Sequence, residues 1–220
     1  MIASELDLLG TYLGGWWCGV KFGKEPEAQI PSAQRSMRFC EAVAASRTGP
    51  ITLTPELLDC PGGRHCLGWN TEEDTIVDGM AEKTGLDQAV ARRILRATPR
   101  LEGGPEQIVA GTSHTPDVVV SFSQPKTVMK LLRCWQGQMG DPITLEVSGF
   151  LSVCGMVAVR AYLTGDISIS FGCPDAREYG GIGRDRLVVG LPLEAVHILA
   201  RDLSSGHWSE DHAAPATLGS

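Results

Sequence analysis

Two short phrases set up the same chemistry at two places in this chain: Cys60 opens CPGGR and Cys173 opens CPDAR. A thiol on a bend shaped by Pro or Gly points away from regular structure with backbone N–H groups near its sulfur, a setting that suits a cysteine binding a metal or a cluster. Each phrase ends in an arginine, Arg64 or Arg177, whose planar fork can hold the carboxylate or phosphate of a bound cofactor, or pair with an acidic neighbour such as Asp59 or Glu178. With Cys18, Cys40, Cys66, Cys134 and Cys154 the chain holds 7 cysteines.

An odd number of cysteines and no export signal argue for reduced thiols, which leaves packed core groups, metal ligands or nucleophiles. Iron–sulfur ligation needs thiolates on segments that close around a cluster. The compact C-x-x-C spacing is absent, so the ligands must come from separated segments. Zinc is the alternative metal, through Cys60, His65 and Cys66 of CPGGRHC, although neighbouring residues rarely reach one ion together. Cys60 with His65 as base is a possible nucleophile, without an evident group to orient the imidazole. Gly62-Gly63 and Gly180-Gly181 lack the framework of a nucleotide loop and read as bends. Trp16 and Trp17 serve either as a stacking platform or as core. His114 and His197 have no evident partner, and His207 and His212 fall in a polar tail.

The elements that must position these groups follow from periodicity. Residues 32–47 place Ala33, Met37, Cys40 and Ala44 at helical spacing, with Ser32 as N-cap after Pro31. Residues 60–63 read as a bend that resists helix or central strand. A helix is predicted over 86–97, stopped by Pro99, and an amphipathic one carries Val128, Leu131, Leu132 and Trp135. A last helix starts near Pro192 and turns Leu193, Val196, Leu199 and Leu203 inward. Strands are predicted at 19–22, 107–111, 117–122, 142–147, 166–171 and 186–191, with 117–122 central because it is apolar throughout. GVKF (19–22) and VVSF (119–122) echo each other, Cys40/Cys60 and Cys134/Cys154 are each 20 apart, and Pro-Ile-Thr-Leu occurs at 50–53 and 142–145. These echoes predict two related halves, about 15–100 and 112–204.

Composition bounds the function. The chain's 220 residues, 43% of them hydrophobic, are enough for one compact domain over 1–204, with 205–220 a flexible tail. A net charge of −7 without a basic block argues against nucleic acid, and no apolar run is long enough to span a bilayer. A cytoplasmic protein is expected, with a small-molecule substrate or a redox partner protein, and a homodimer as the default assembly.

The phrases GVKF (19–22), MRFCEAV (37–43), LDCPGGRHCLG (58–68), PDVVVSF (116–122), SVCGMVAVRAYLTG (152–165), SFGCPDAREYGGI (170–182) and VVGLP (188–192) resemble a prokaryotic family called domain of unknown function 169, over roughly residues 8–204. The resemblance implies that Cys40, Cys60, Cys154 and Cys173 form one set, while Cys18, Cys66 and Cys134 stand where the family carries other residues. Four cysteines match the ligand count of a [4Fe–4S] centre or a tetrahedral zinc. WWCGVKF and RHC depart from the family pattern. The expectation is therefore a mixed α/β (α+β) domain of two halves closing on a [4Fe–4S] cluster. Such a protein acts as an oxidoreductase or electron-transfer component, or as a cluster-dependent lyase with an open metal site. The alternative is a metal-free binding module whose cysteines are core.

Overall fold

The computed structural model describes residues 2–23, 32–112 and 115–205. His114, His207, His212, Pro31 and the predicted tail lie outside them, except for Ser205. In chain order the elements are α1 (Ile2–Leu13), β1 (Trp17–Gly23), α2 (Phe39–Ala45), β2 (Ile51–Leu53), α3 (Pro61–Cys66), α4 (Glu73–Thr84), α5 (Gln88–Ala97), β3 (Gln107–Gly111), β4 (Val118–Ser123) and α6 (Pro125–Met139). A π-helix (Ser152–Val159), α7 (Arg160–Thr164), β5 (Ser168–Ser170), α8 (Pro174–Tyr179), β6 (Leu187–Pro192) and α9 (Leu193–Ser204) follow.

The fold is mixed α/β, built on a six-stranded sheet in the order β2-β3-β1-β4-β6-β5 with every strand pair antiparallel. Alternation along the strands sorts side chains between two faces. Trp17, Val119, Val189 and Leu191 pack with α1, α6 and α9, whereas Cys18, Val20, Val120 and Val188 pack with α2, the π-helix and α8. β4 is buried along its whole length and central, as its apolar run predicts. Among the described residues no helix is long and apolar enough to cross a membrane.

Read outward from the central β1–β4 pair, the two sides of the sheet have the same register. Cys18↔Val120 and Val20↔Val118 exchange when 100 is added to or taken from each number, which puts a local twofold at Gly19↔Val119. Lys21↔Val109 has its counterpart in Ser121↔Val189, and Thr52↔Val109 in Ile169↔Val189. On the same face, α2 precedes β2 and α3 follows it, while the π-helix precedes β5 and α8 follows it. By this order of elements, rather than by register, Cys40 of α2 and Cys60 before α3 answer to Cys154 of the π-helix and Cys173 before α8, and β5 rather than 142–145 stands where β2 stands.

Several predicted elements are corrected. Residues 142–147 form no strand: they find no partner strand, Leu145 and Val147 stay exposed, and Glu146 is tied to Arg160. The helix predicted over 32–47 begins only at Phe39, because the backbone ahead of it pairs with the β2 region: Ala33 donates to Thr52 (2.9 Å), Met37 donates to Leu57 (2.9 Å), and Asp59 donates to Met37 (3.0 Å). Cys60 to Gly63 is a helix start rather than a bend, since Pro61 occupies a first-turn position that needs no N–H donor. α1, α4 and the π-helix are not among the predicted elements, although Ile2, Leu6, Leu9 and Leu13 stand at helical spacing along α1 and pack into the core.

Candidate functional site

Cys40, Cys60, Cys154 and Cys173 line one cavity of about 190 Å³, although they come from four separate elements. Cys40 sits in the first turn of α2 and Cys154 in the π-helix, both buried, while Cys60 and Cys173 are the half-buried N-caps of α3 and α8. The Cys-Pro pair explains the last two placements. Proline starts the helix with its fixed φ, and the residue before it is held extended, which leaves the cysteine side chain at the helix mouth. The Gly63 N–H donates to the Cys60 sulfur at 3.3 Å. Cys173 has no equivalent cap bond, but the amides of Ser152 and Ala176 act to lower its pKa.

Gly62 makes the approach of the π-helix possible, since a Cβ there would lie 2.3 Å from a methyl carbon of Leu151. Leu151 itself takes a left-handed conformation (φ 50°), a costly one for a branched side chain, at the entry to the π-helix. All eight π-helix residues are buried, so this wide turn is held from every side.

The electrostatics link the four thiols. Burial, and then the neighbouring Cys173, Cys154 and Cys60, push Cys40 far above the ordinary thiol range. Cys60 is pushed up to about 11 by burial and by Cys154, against the Gly63 amide and the Arg38 cation. Burial and Cys154 also raise Cys173. Cys154 is raised first by its contact with the Cys66 thiol and then by burial. Four protonated thiols in an apolar cavity become strong ligands only when a cation replaces their protons.

Arg38 is the cation of this site, and sequence reasoning missed it. Its Nη1 lies 3.8 Å from the Cys60 sulfur, its guanidinium stacks over Tyr179 at 4.0 Å, and it pairs with Asp175. Lys83 reaches the same carboxylate at 3.0 Å from α4. The sequence signal was Arg38 two residues ahead of Cys40 and Asp175 two residues after Cys173. Arg64 and Arg177 do not line the cavity. Arg64 donates to the carbonyls of Pro55 and Asn70, and Arg177 to those of Phe171 and Gly183, so each braces the chain around its own cysteine.

The other candidates lie elsewhere. His65 does not line the cavity, which leaves Cys60 without the base a nucleophile needs. Cys66 is fully buried behind Cys154. Cys18 bonds Ser46 at 3.1 Å and Cys134 bonds Asp202 at 3.0 Å, both away from the cavity. Trp17 is buried in the core of the opposite sheet face, Trp16 packs at the core edge against Arg47, and His197 bonds Glu5 at 2.9 Å.

Among the described residues, no three His, Cys, Asp or Glu side chains converge tightly enough to hold one metal ion. A single zinc needs its sulfurs about 3.8 Å apart around one point, the consequence of tetrahedral bonds of about 2.3 Å. Four cysteines are also the ligand count of a [4Fe–4S] cluster. The N–H donor to Cys60 and the nearby guanidinium are the surroundings that stabilise cluster-bound sulfur.

The model of the family domain of unknown function 169, described as uncharacterised ArCR, matches residues 18–201, and the chain belongs to that family. No curated protein and no solved structure matches it.

Proposed function

For this member of the domain of unknown function 169 family, we propose an iron–sulfur protein in which Cys40, Cys60, Cys154 and Cys173 hold a [4Fe–4S] cluster. The observation that carries the reading is the convergence of these four thiols, from four elements, on one cavity. The cluster supplies one-electron chemistry when bound, and the protein serves as an oxidoreductase or electron-transfer component. The chain's own residues exclude water through the apolar walls, donate from the Gly63 N–H to sulfur, and set Arg38 as a counter-charge beside Cys60.

The test is iron and acid-labile sulfide analysis with visible absorption on protein purified without oxygen. About four iron and four sulfide per chain, with a broad band near 400 nm, is the expected result. Colourless, iron-free protein would return the thiols to core packing and leave a metal-free binding module; zinc at one ion per chain would replace the cluster with the mononuclear alternative.

A second reading is a non-redox, cluster-dependent enzyme such as a lyase, favoured by the extension of the cavity beyond the cysteines along α4. An open metal position needs only three thiolate ligands. Replacing each of the four cysteines in turn separates the readings, since one dispensable cysteine marks the open site.

A further inference from the structure

The sheet register relates the two halves, but the cavity is covered by an element that only one half contains. In the second half, α8 leads to β6 through residues 180–186 alone, whereas in the first α3 leads to β3 through 67–106, which hold the α4–α5 hairpin. Thr75, Ile76, Gly79, Met80, Lys83 and Thr84 of α4 line the cavity, a stripe at helical spacing over about 14 Å of helix. The cavity therefore runs on past the thiols as a chamber.

Gly79 is the most telling residue in this stripe. It lies inside a 12-residue helix, where glycine is unfavourable, and a Cβ built on it would meet no other atom within 4 Å. It permits no close packing and no left-handed turn. What it provides is space in the wall of the chamber. At the rim, Arg38 and Lys83 meet at the carboxylate of Asp175; Arg38 also faces the Cys60 sulfur, and the exposed Lys83 ammonium is the cation on the α4 side of the chamber.

We propose that this chamber binds a small monocarboxylate with an aliphatic body, its tail along the Ile76–Gly79–Met80 wall and its carboxylate at Lys83, presented to the four-cysteine site. The inference rests on that site and names the class of molecule that reaches it.

The probe is hexanoate, titrated by calorimetry into full-length protein purified without oxygen, with hexylamine as the charge-reversed control. Hexanoate should bind with Kd of about 0.1–1 mM, and hexylamine should bind at least about tenfold more weakly. Gly79→Leu should fill the chamber and weaken hexanoate about tenfold or more, while its thermal midpoint stays at or above that of the wild type because leucine is the better helix former. Lys83→Gln, at an exposed position, should weaken hexanoate several-fold without touching the apolar wall. Wild-type protein that ignores hexanoate, binds hexylamine equally well, or loses nothing in Gly79→Leu would overturn the proposal. Iron is measured on the same preparations. Iron-loaded protein that does not bind hexanoate sinks the chamber alone, and iron-free protein that binds it in a Gly79-dependent way sinks the cluster alone.

Discussion

Replacing the cysteines by alanine, in apo and in reconstituted protein, separates a ligand from a packed thiol. Cys40 and Cys154 are each 7% exposed and Cys18 is fully buried. Removing one sulfur from any of them costs about 1 kcal/mol, the loss for a buried atom the size of a methylene plus a small void. In the apo protein all three variants should thus drop by about 2–4 °C in Tm. Half-buried Cys60 and Cys173 should drop less. A bound cluster stabilises only the folded state, by about 3 kcal/mol once its availability exceeds the dissociation constant a hundredfold. After anaerobic reconstitution, Cys40→Ala and Cys154→Ala should therefore fall below the reconstituted wild type by about 4 kcal/mol, while Cys18→Ala keeps its 1 kcal/mol deficit. The assay is thermal unfolding followed by circular dichroism, with iron counted on each sample. Equal deficits for Cys18→Ala and Cys40→Ala in the reconstituted state would refute the ligand assignment, whatever the colour of the wild type.

Two further outcomes follow from the placement of other groups. Arg64→Ala and Arg177→Ala each remove charged hydrogen bonds to two carbonyls at a half-buried position and should each cost about 1–3 kcal/mol; both should retain iron in the folded fraction, and iron loss at unchanged stability would return these arginines to the cofactor. Burial pushes the Cys18 thiol up to about 12, above the value near 9 of a free thiol, so its contribution is fully present below pH 9 and is lost as pH rises towards 12. Urea unfolding of wild-type and Cys18→Ala apo protein should show the wild type losing up to about 1.4 kcal/mol more per pH unit above pH 9, and parallel profiles would contradict it.

What the sequence made legible was set by local signals. β4 read correctly because an unbroken apolar run leaves no exposed face, and α6 because its four apolar residues hold helical spacing. Residues 142–147 alternate, with Ile143, Leu145 and Val147 apolar, yet form no strand, since alternation specifies a strand only where a partner exists. The Cys-Pro phrases pointed to Cys60 and Cys173, whereas Cys40 and Cys154 stood out only through a family resemblance, because a cysteine within an apolar helix resembles any small core residue. Arg38 and α4 were missed for one shared reason. Their role depends on contacts with residues more than 90 positions away, Lys83 and Arg38 both meeting at Asp175, and no local pattern encodes such a meeting.

The shared order of elements gives this site a division of labour. Each half contributes one buried helical thiol and one helix-capping thiol, so Cys40 and Cys60 answer to Cys154 and Cys173, and four sulfurs reach one cavity without a compact motif. Symmetry of that kind would treat the two sides of the cavity alike, yet the residues two positions beyond the capping cysteines differ. In the first half that position is Gly62, whose missing side chain admits Leu151. In the second it is Asp175, which gathers Arg38 from beside Cys40 and Lys83 from α4. The same step in the two halves thus closes one side of the cavity by packing and the other by charge. Because Lys83 comes from the hairpin that only the first half carries, the Lys83–Asp175 pair ties that hairpin to the second half.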